Sequence, residues 1–108
     1  MTTQHGLTLS TVARIQQVLA DFLEVEQGVL FGSRAKGTQK PGSDIDLALV
    51  GSNLDWRTVG RIHSALDDLP IPYRFSLVIF GEKLDRDVAA HIRRVGIPIF
   101  EREPVVAR

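Results

Sequence analysis

Apolar residues along the chain fall into a small set of repeating intervals. From Leu9 to about Phe22, Val12, Ile15, Leu19 and Phe22 recur three or four apart, the interval at which side chains share one face of a helix. Thr8 or Ser10 stands where such a helix needs an N-terminal cap. Residues 28–32, GVLFG, form a compact apolar run between two glycines and predict a short buried strand. A brief helix over Arg34 to Lys36 follows, with Ser33 as its cap and Gly37 as its stop. KPGS at 40–43 is a turn, because proline presets one dihedral and glycine permits the next.

The stretch SDIDLALV, residues 43–50, gives the strongest strand pattern. Alternation puts Ile45, Leu47 and Leu49 on one face and Asp44, Asp46, Ala48 and Val50 on the other. Asp55 then caps a helix from Trp56 to about Leu69, with Val59, Ile62, Ala65, Leu66 and Leu69 as its apolar stripe. PIP ends it. YRFSLVIF, residues 73–80, reads as a further strand with Tyr73, Phe75, Leu77 and Ile79 on one face and Arg74, Ser76, Val78 and Phe80 on the other. The last helix runs from Leu84 or Asp85 to Val95, turns Val88, Ala89, Ile92 and Val95 inward and stops at Gly96. IPIFE at 97–101 adds a short edge strand, where Pro98 is tolerated. Helices alternating with strands predict an α/β (α+β) fold, a small mixed β-sheet flanked by helices. One domain is expected over residues 9–108, behind a flexible polar lead of residues 1–8.

Composition narrows the class. A chain of 108 residues is long enough for one buried core and too short for two. Thirteen basic side chains balance thirteen acidic ones, so no overall field draws the protein to nucleic acid or to an anionic membrane. The absence of cysteine excludes disulfides and thiolate-bound zinc. No apolar stretch reaches membrane-spanning length, and MTTQHGLTLS lacks the pattern of a signal peptide. The expectation is a cytoplasmic protein that binds neither membrane nor nucleic acid directly.

Candidate chemistry concentrates between residues 30 and 50. Asp44 and Asp46 stand two apart on a strand, roughly 6–7 Å between their bases. Like charges that close repel, and partial burial makes the repulsion worse. Either the face lies open to water, or a cation sits between the two carboxylates; Mg²⁺ favours one or two carboxylates completed by phosphate and water. Gly32-Ser33, at the end of the preceding strand, is either a simple cap or a phosphate cradle, since glycine lets an anion approach the backbone. Arg34, Lys36 and Lys40 lie within reach of such an anion.

The combination is more specific than either half. Gly32-Ser33, ten intervening residues, then Asp44-Ile45-Asp46 resembles the nucleotidyltransferase superfamily typified by DNA polymerase beta and kanamycin nucleotidyltransferase. LFGSRAKGTQKPGSDIDLALV looks most like the minimal nucleotidyltransferases, the stand-alone MNT proteins, and the leading helix, the later helix, YRFSLVIF and HIRRVGIPIFER fit that family's outline. The resemblance implies a nucleotidyltransferase fold and a two-metal Mg²⁺ site on Asp44 and Asp46, with ATP as substrate. It places the nucleotide on Gly32, Ser33, Arg34, Lys36 and Ser43. The family also implies a partner, a HEPN-domain ribonuclease toxin, which the enzyme silences as an antitoxin by moving AMP onto a tyrosine.

At one position the pattern departs from the family. A third carboxylate is expected within YRFSLVIF, and Ser76 occupies its place. Serine is a poor ligand for a hard cation and no base at neutral pH, so nucleotide binding is expected to survive and transfer to weaken. Natural drift towards a binding role and a deliberate inactivating substitution both fit. The alternatives in function are an antitoxin that neutralises by binding alone and a small-molecule nucleotidyltransferase, which normally carries a second helical domain.

Other residues read as structural. His5, His63 and His91 share no metal-like spacing, and the last two are expected on helix surfaces. Trp56 reads as a packing anchor, and Arg93-Arg94 as favourable charge at a helix end. The apolar edge strand near Ile97 to Phe100 offers a surface for pairing with a second copy.

Overall fold

The computed structural model describes residues 3–102, with side chains described from residue 5. A hairpin of β1 (Thr3–Gln4) and β2 (Leu7–Thr8) leads into α1 (Leu9–Ala20). β3 (Gln27–Phe31), α2 (Gly32–Lys36), β4 (Ile45–Val50) and α3 (Trp56–Asp67) follow. β5 (Phe75–Ile79), α4 (Arg86–Val95) and β6 (Ile97–Glu101) complete the described chain.

β3 to β6 form one sheet in the order β5-β4-β3-β6. β3 runs antiparallel to both β4 and β6, whereas β4 and β5 are parallel. A parallel pair needs a long crossover, and α3 supplies it. The mixed sheet flanked by helices is the architecture expected from the hydrophobic pattern.

Alternation along the strands gives the sheet two different faces. Leu30, Ile45, Leu47 and Leu49 pack with Ile15 and Leu19 of α1 and Ile62 and Leu66 of α3, all fully buried. Each such side chain contributes about 1.5–3 kcal/mol through burial. The opposite face carries a thinner core, Val29 and Ala48 against Ile92 of α4, edged by Phe31, Val78 and Phe80. Asp46 alternates onto this second face. The acids therefore share their side of the sheet with one covering helix, α4.

Local caps set the helix starts. Thr8 Oγ1 accepts the Thr11 N–H at 3.1 Å, and Asp55 Oδ1 accepts the Thr58 N–H at 2.8 Å, as the sequence predicts. Gly96 ends α4, though in extended rather than left-handed conformation. Its lack of a side chain answers to space: a β-carbon there would sit 2.7 Å from Val29 Cγ1 and collide with the Ile92 carbonyl.

The flexible lead is corrected for residues 3–8. They form the hairpin, closed by a two-residue turn in which His5 (φ 56°) and Gly6 (φ 77°) both take positive φ, the combination that matches the twist of paired strands. Leu7 is 1% exposed and belongs to the main core. Residues 1–2 and 103–108 of the expected lead and domain lie outside the described residues. At the other end, β6 is an edge strand, and Gln16 Nε2 donates to its Ile99 carbonyl at 2.7 Å. No helix among the described residues is long and apolar enough to cross a membrane.

Candidate active site

The Gly-Ser bend forms where β3 gives way to α2. Gly32 takes φ 74°, a left-handed conformation that costs other residues roughly 1–2 kcal/mol. Because glycine can turn there, helical bonding starts at Gly32, and Phe31 occupies the cap position with no side-chain bond. Ser33 thus stands inside the first turn and is not the cap that the sequence suggested. Gly37 (φ 78°) stops α2, and Thr38 closes the turn by donating its N–H to the Ser33 carbonyl at 2.9 Å.

Arg34 has a different task from the expected phosphate contact. Its side chain is 2% exposed. Nε and Nη2 donate to the Ser43 carbonyl at 3.3 and 2.8 Å, Nη1 donates to the His5 carbonyl at 3.1 Å, and the guanidinium lies 4.8 Å from the centre of the Tyr73 ring. A planar fork of five donors can bridge two carbonyls in this way. Arg34 fixes the residue immediately before Asp44, with each of its three nitrogens donating to a backbone carbonyl. Ser43 is likewise engaged, its Oγ accepting the Lys40 N–H at 2.8 Å. Lys36 is exposed on the end of α2.

The two acids stand at the same end of the sheet as the bend. Phe31 pairs with Asp46 across β3 and β4, and Asp46 pairs with Ser76 across β4 and β5, so all three project from one face. Asp44 precedes β4 and is exposed, whereas Asp46 is half-buried. Burial raises the Asp46 carboxyl above its usual range, and the nearby charge of Asp44 raises it further. Asp46 Oδ2 occupies the space that a β-carbon on Gly32 would take. Ser76 is exposed beside them.

His91 joins this group from α4 and corrects the expectation of a helix-surface histidine. It is half-buried, and Nε2 accepts the Gly32 N–H at 3.3 Å. Its ring meets Phe31 edge to face, 6.2 Å between centroids at 78°. The two partners lie about sixty positions back in sequence, where no local pattern could signal them. His63 instead places Nδ1 3.2 Å from Asp67 and Nε2 3.0 Å from the Phe75 carbonyl, away from the acids. Trp56, expected to pack, is 66% exposed and lines a cavity of about 450 Å³ with Leu54, Phe80 and Leu84 at the opposite end of the sheet.

Two carboxylates crowded on a partly buried face, one of them held protonation-prone by burial and by the other, form a donor set that a divalent cation would relieve. Among the described residues no group of three or more His, Cys, Asp and Glu could hold a metal by itself. A cation between Asp44 and Asp46 would therefore need oxygen ligands from outside the described residues.

The glycine bend, Asp46 in register with Phe31 beside it and a mixed sheet backed by helices make this end of the sheet the candidate site. The family described as "Polymerase beta, Nucleotidyltransferase" matches residues 13–105, and the chain belongs to it. Among similar proteins, the probable protein adenylyltransferase MntA of Haemophilus influenzae is 34% identical over 79 residues, covering 72% of this chain and 68% of that protein. A crystal structure of a toxin–antitoxin with AMP-PNP superposes with TM-score 0.63 at 26% identity, over 85% of this chain and 74% of the other. The MNT antitoxin in complex with tri-AMPylated Shewanella oneidensis HEPN toxin shares the fold, with TM-score 0.58 at 21% identity over 86% and 71% of the two chains.

Proposed function

We propose that this chain is a minimal nucleotidyltransferase antitoxin that binds Mg²⁺-ATP and directs AMP to a tyrosine hydroxyl of a HEPN-domain toxin. The observation that carries this reading is the register Phe31–Asp46–Ser76 beside the Gly32 bend. It supports a triphosphate seat at Gly32 and Ser33, with Asp46 beside it at the same end of the sheet. MntA of H. influenzae, a probable protein adenylyltransferase, supports the reaction. The relatives solved with AMP-PNP and with an AMPylated HEPN toxin support the substrate and the partner.

In this reading Gly32 and Ser33 seat the phosphates and Lys36 offers a mobile positive charge above them. Arg34 acts indirectly, by bracing Ser43 and with it Asp44. Asp44 and Asp46 would hold the Mg²⁺ ion, which would supply charge neutralisation on the triphosphate. Transfer joins the tyrosine oxygen to the α-phosphorus, breaks the α-phosphorus bond to the bridging oxygen and releases pyrophosphate. The hydroxyl proton needs an acceptor. Ser76 stands across from Asp46, where the family's third carboxylate is expected, and cannot take that proton at neutral pH. Loss of a general base lowers rate by about 10²–10⁴-fold, so transfer is slow while binding persists.

The same serine favours a second reading, an antitoxin that silences its toxin by binding alone. Intact-mass measurement of the HEPN toxin produced with this chain distinguishes the two. An added AMP mass, increased in yield by Ser76→Asp, is the outcome expected for transfer. A silenced toxin of unmodified mass, with wild-type and Ser76→Asp alike, points to binding only.

A further inference from the structure

The histidine on α4 does more than cover the sheet. Ile92, with Val88 beside it, packs that helix against Val29 and Ala48, which carries His91 to the end of β3. There its Nε2 accepts the Gly32 N–H at 3.3 Å and its ring abuts Phe31. The acceptor is the Nε2 lone pair, which the ring presents to Gly32 in the tautomer that carries its proton on Nδ1. Gly32 has a neighbour on two sides: Asp46 Oδ2 fills the space a β-carbon would take, and His91 accepts from its nitrogen. Glycine has more backbone freedom to lose than any other residue. A glycine-based seat for an anion therefore needs an outside restraint if it is to be formed before the ligand arrives.

We propose that His91 is a positioning residue that fixes the Phe31–Gly32 peptide plane and so pre-forms the triphosphate seat. The inference rests on the nucleotide-binding reading of the Gly32 bend and adds the element that holds it. His91 acts through Gly32 and does not touch the reacting atoms. The acceptor, and not the bulk of the ring, is what the role requires.

Three variants separate acceptor from bulk. His91→Gln keeps an oxygen at about the reach of Nε2. His91→Phe keeps the ring against Phe31 and removes the acceptor. His91→Asn places its oxygen too short to reach Gly32, without adding apolar surface. Calorimetric titration of each with Mg²⁺-ATP is expected to give wild-type affinity, within about twofold, for His91→Gln. A loss of about three- to tenfold, the effect of one neutral hydrogen bond, is expected for His91→Phe and His91→Asn. Thermal midpoints report folding of each variant separately. Wild-type affinity in folded His91→Phe or His91→Asn, or a loss in His91→Gln as large as in the others, overturns the proposal alone. No Mg²⁺-ATP binding by the wild-type protein overturns it together with the reading of the bend.

Discussion

Asp46 Oδ2 occupies the space that a β-carbon on residue 32 would need, so the inner acid and the glycine of the bend are fitted to each other. Gly32→Ala meets two penalties at once, a positive φ of 74° and a clash with the carboxylate. The expected outcome is a stability loss of about 1–3 kcal/mol in chemical denaturation. Mg²⁺-ATP affinity should fall by more than that loss explains, because Asp46 must move aside.

Arg34 carries a prediction of the opposite kind, structural in origin with a functional consequence. Lysine in its place has one compact ammonium and cannot bridge the Ser43 and His5 carbonyls together. Arg34→Lys should cost about 1–3 kcal/mol by leaving a partly buried carbonyl unpaired. Nucleotide affinity should drop as the turn before Asp44 loosens. Denaturation curves and calorimetry on the same sample check both.

The pH dependence follows from the sign of the Asp46 shift. Burial first, and Asp44 second, raise its carboxyl above the ordinary value of 3.8. The folded state therefore binds this proton more tightly than the unfolded chain. The stabilisation is complete below the ordinary carboxylate value and is lost as pH rises through the raised one. Asp46→Asn, of the same shape, should melt higher than wild type at neutral pH in metal-free buffer. That difference should shrink as pH is lowered towards 3.8. Equal melting at neutral pH would show that ionising Asp46 in this burial and beside Asp44 costs the fold nothing.

Arg102 provides a control at the far end of the sheet. It donates to the carbonyls of Leu19, Ala20, Phe22 and Val25 at 3.0–3.4 Å and stacks over Phe100, closing the end of α1 that has no basic residue of its own. Arg102→Ala should lower stability by about 1.5–3 kcal/mol and leave Mg²⁺-ATP affinity of the folded protein unchanged.

What the sequence discloses and what it conceals divide along the range of the interactions. Alternation placed Asp46 and Ser76 on matching faces, and the parallel register pairs them. Thr8 and Asp55 were legible as caps because a cap binds three residues ahead. Arg34 was read as a phosphate ligand because a basic residue after Gly-Ser carries no mark of its partner 29 positions back at His5. His91 reaches 59 positions back to Gly32, and Arg102 reaches 77 to Val25; neither pairing has a local signature. The hairpin at 3–8 was missed for another reason. Its turn uses His5 at positive φ, a conformation that histidine's identity does not announce. Trp56 shows that aromatic bulk at a helix start predicts burial poorly.

The central claim is that Asp44 and Asp46 form a cation clamp for a triphosphate seated at Gly32 and Ser33. Calorimetric titration of ATP into wild-type protein and into Asp44→Asn, each with Mg²⁺ and with chelator, tests it most directly. The account predicts binding that requires Mg²⁺ in the wild type and falls at least about tenfold in Asp44→Asn, the effect of about 1.4 kcal/mol. Binding of equal strength in chelator, or undiminished in Asp44→Asn, would contradict it.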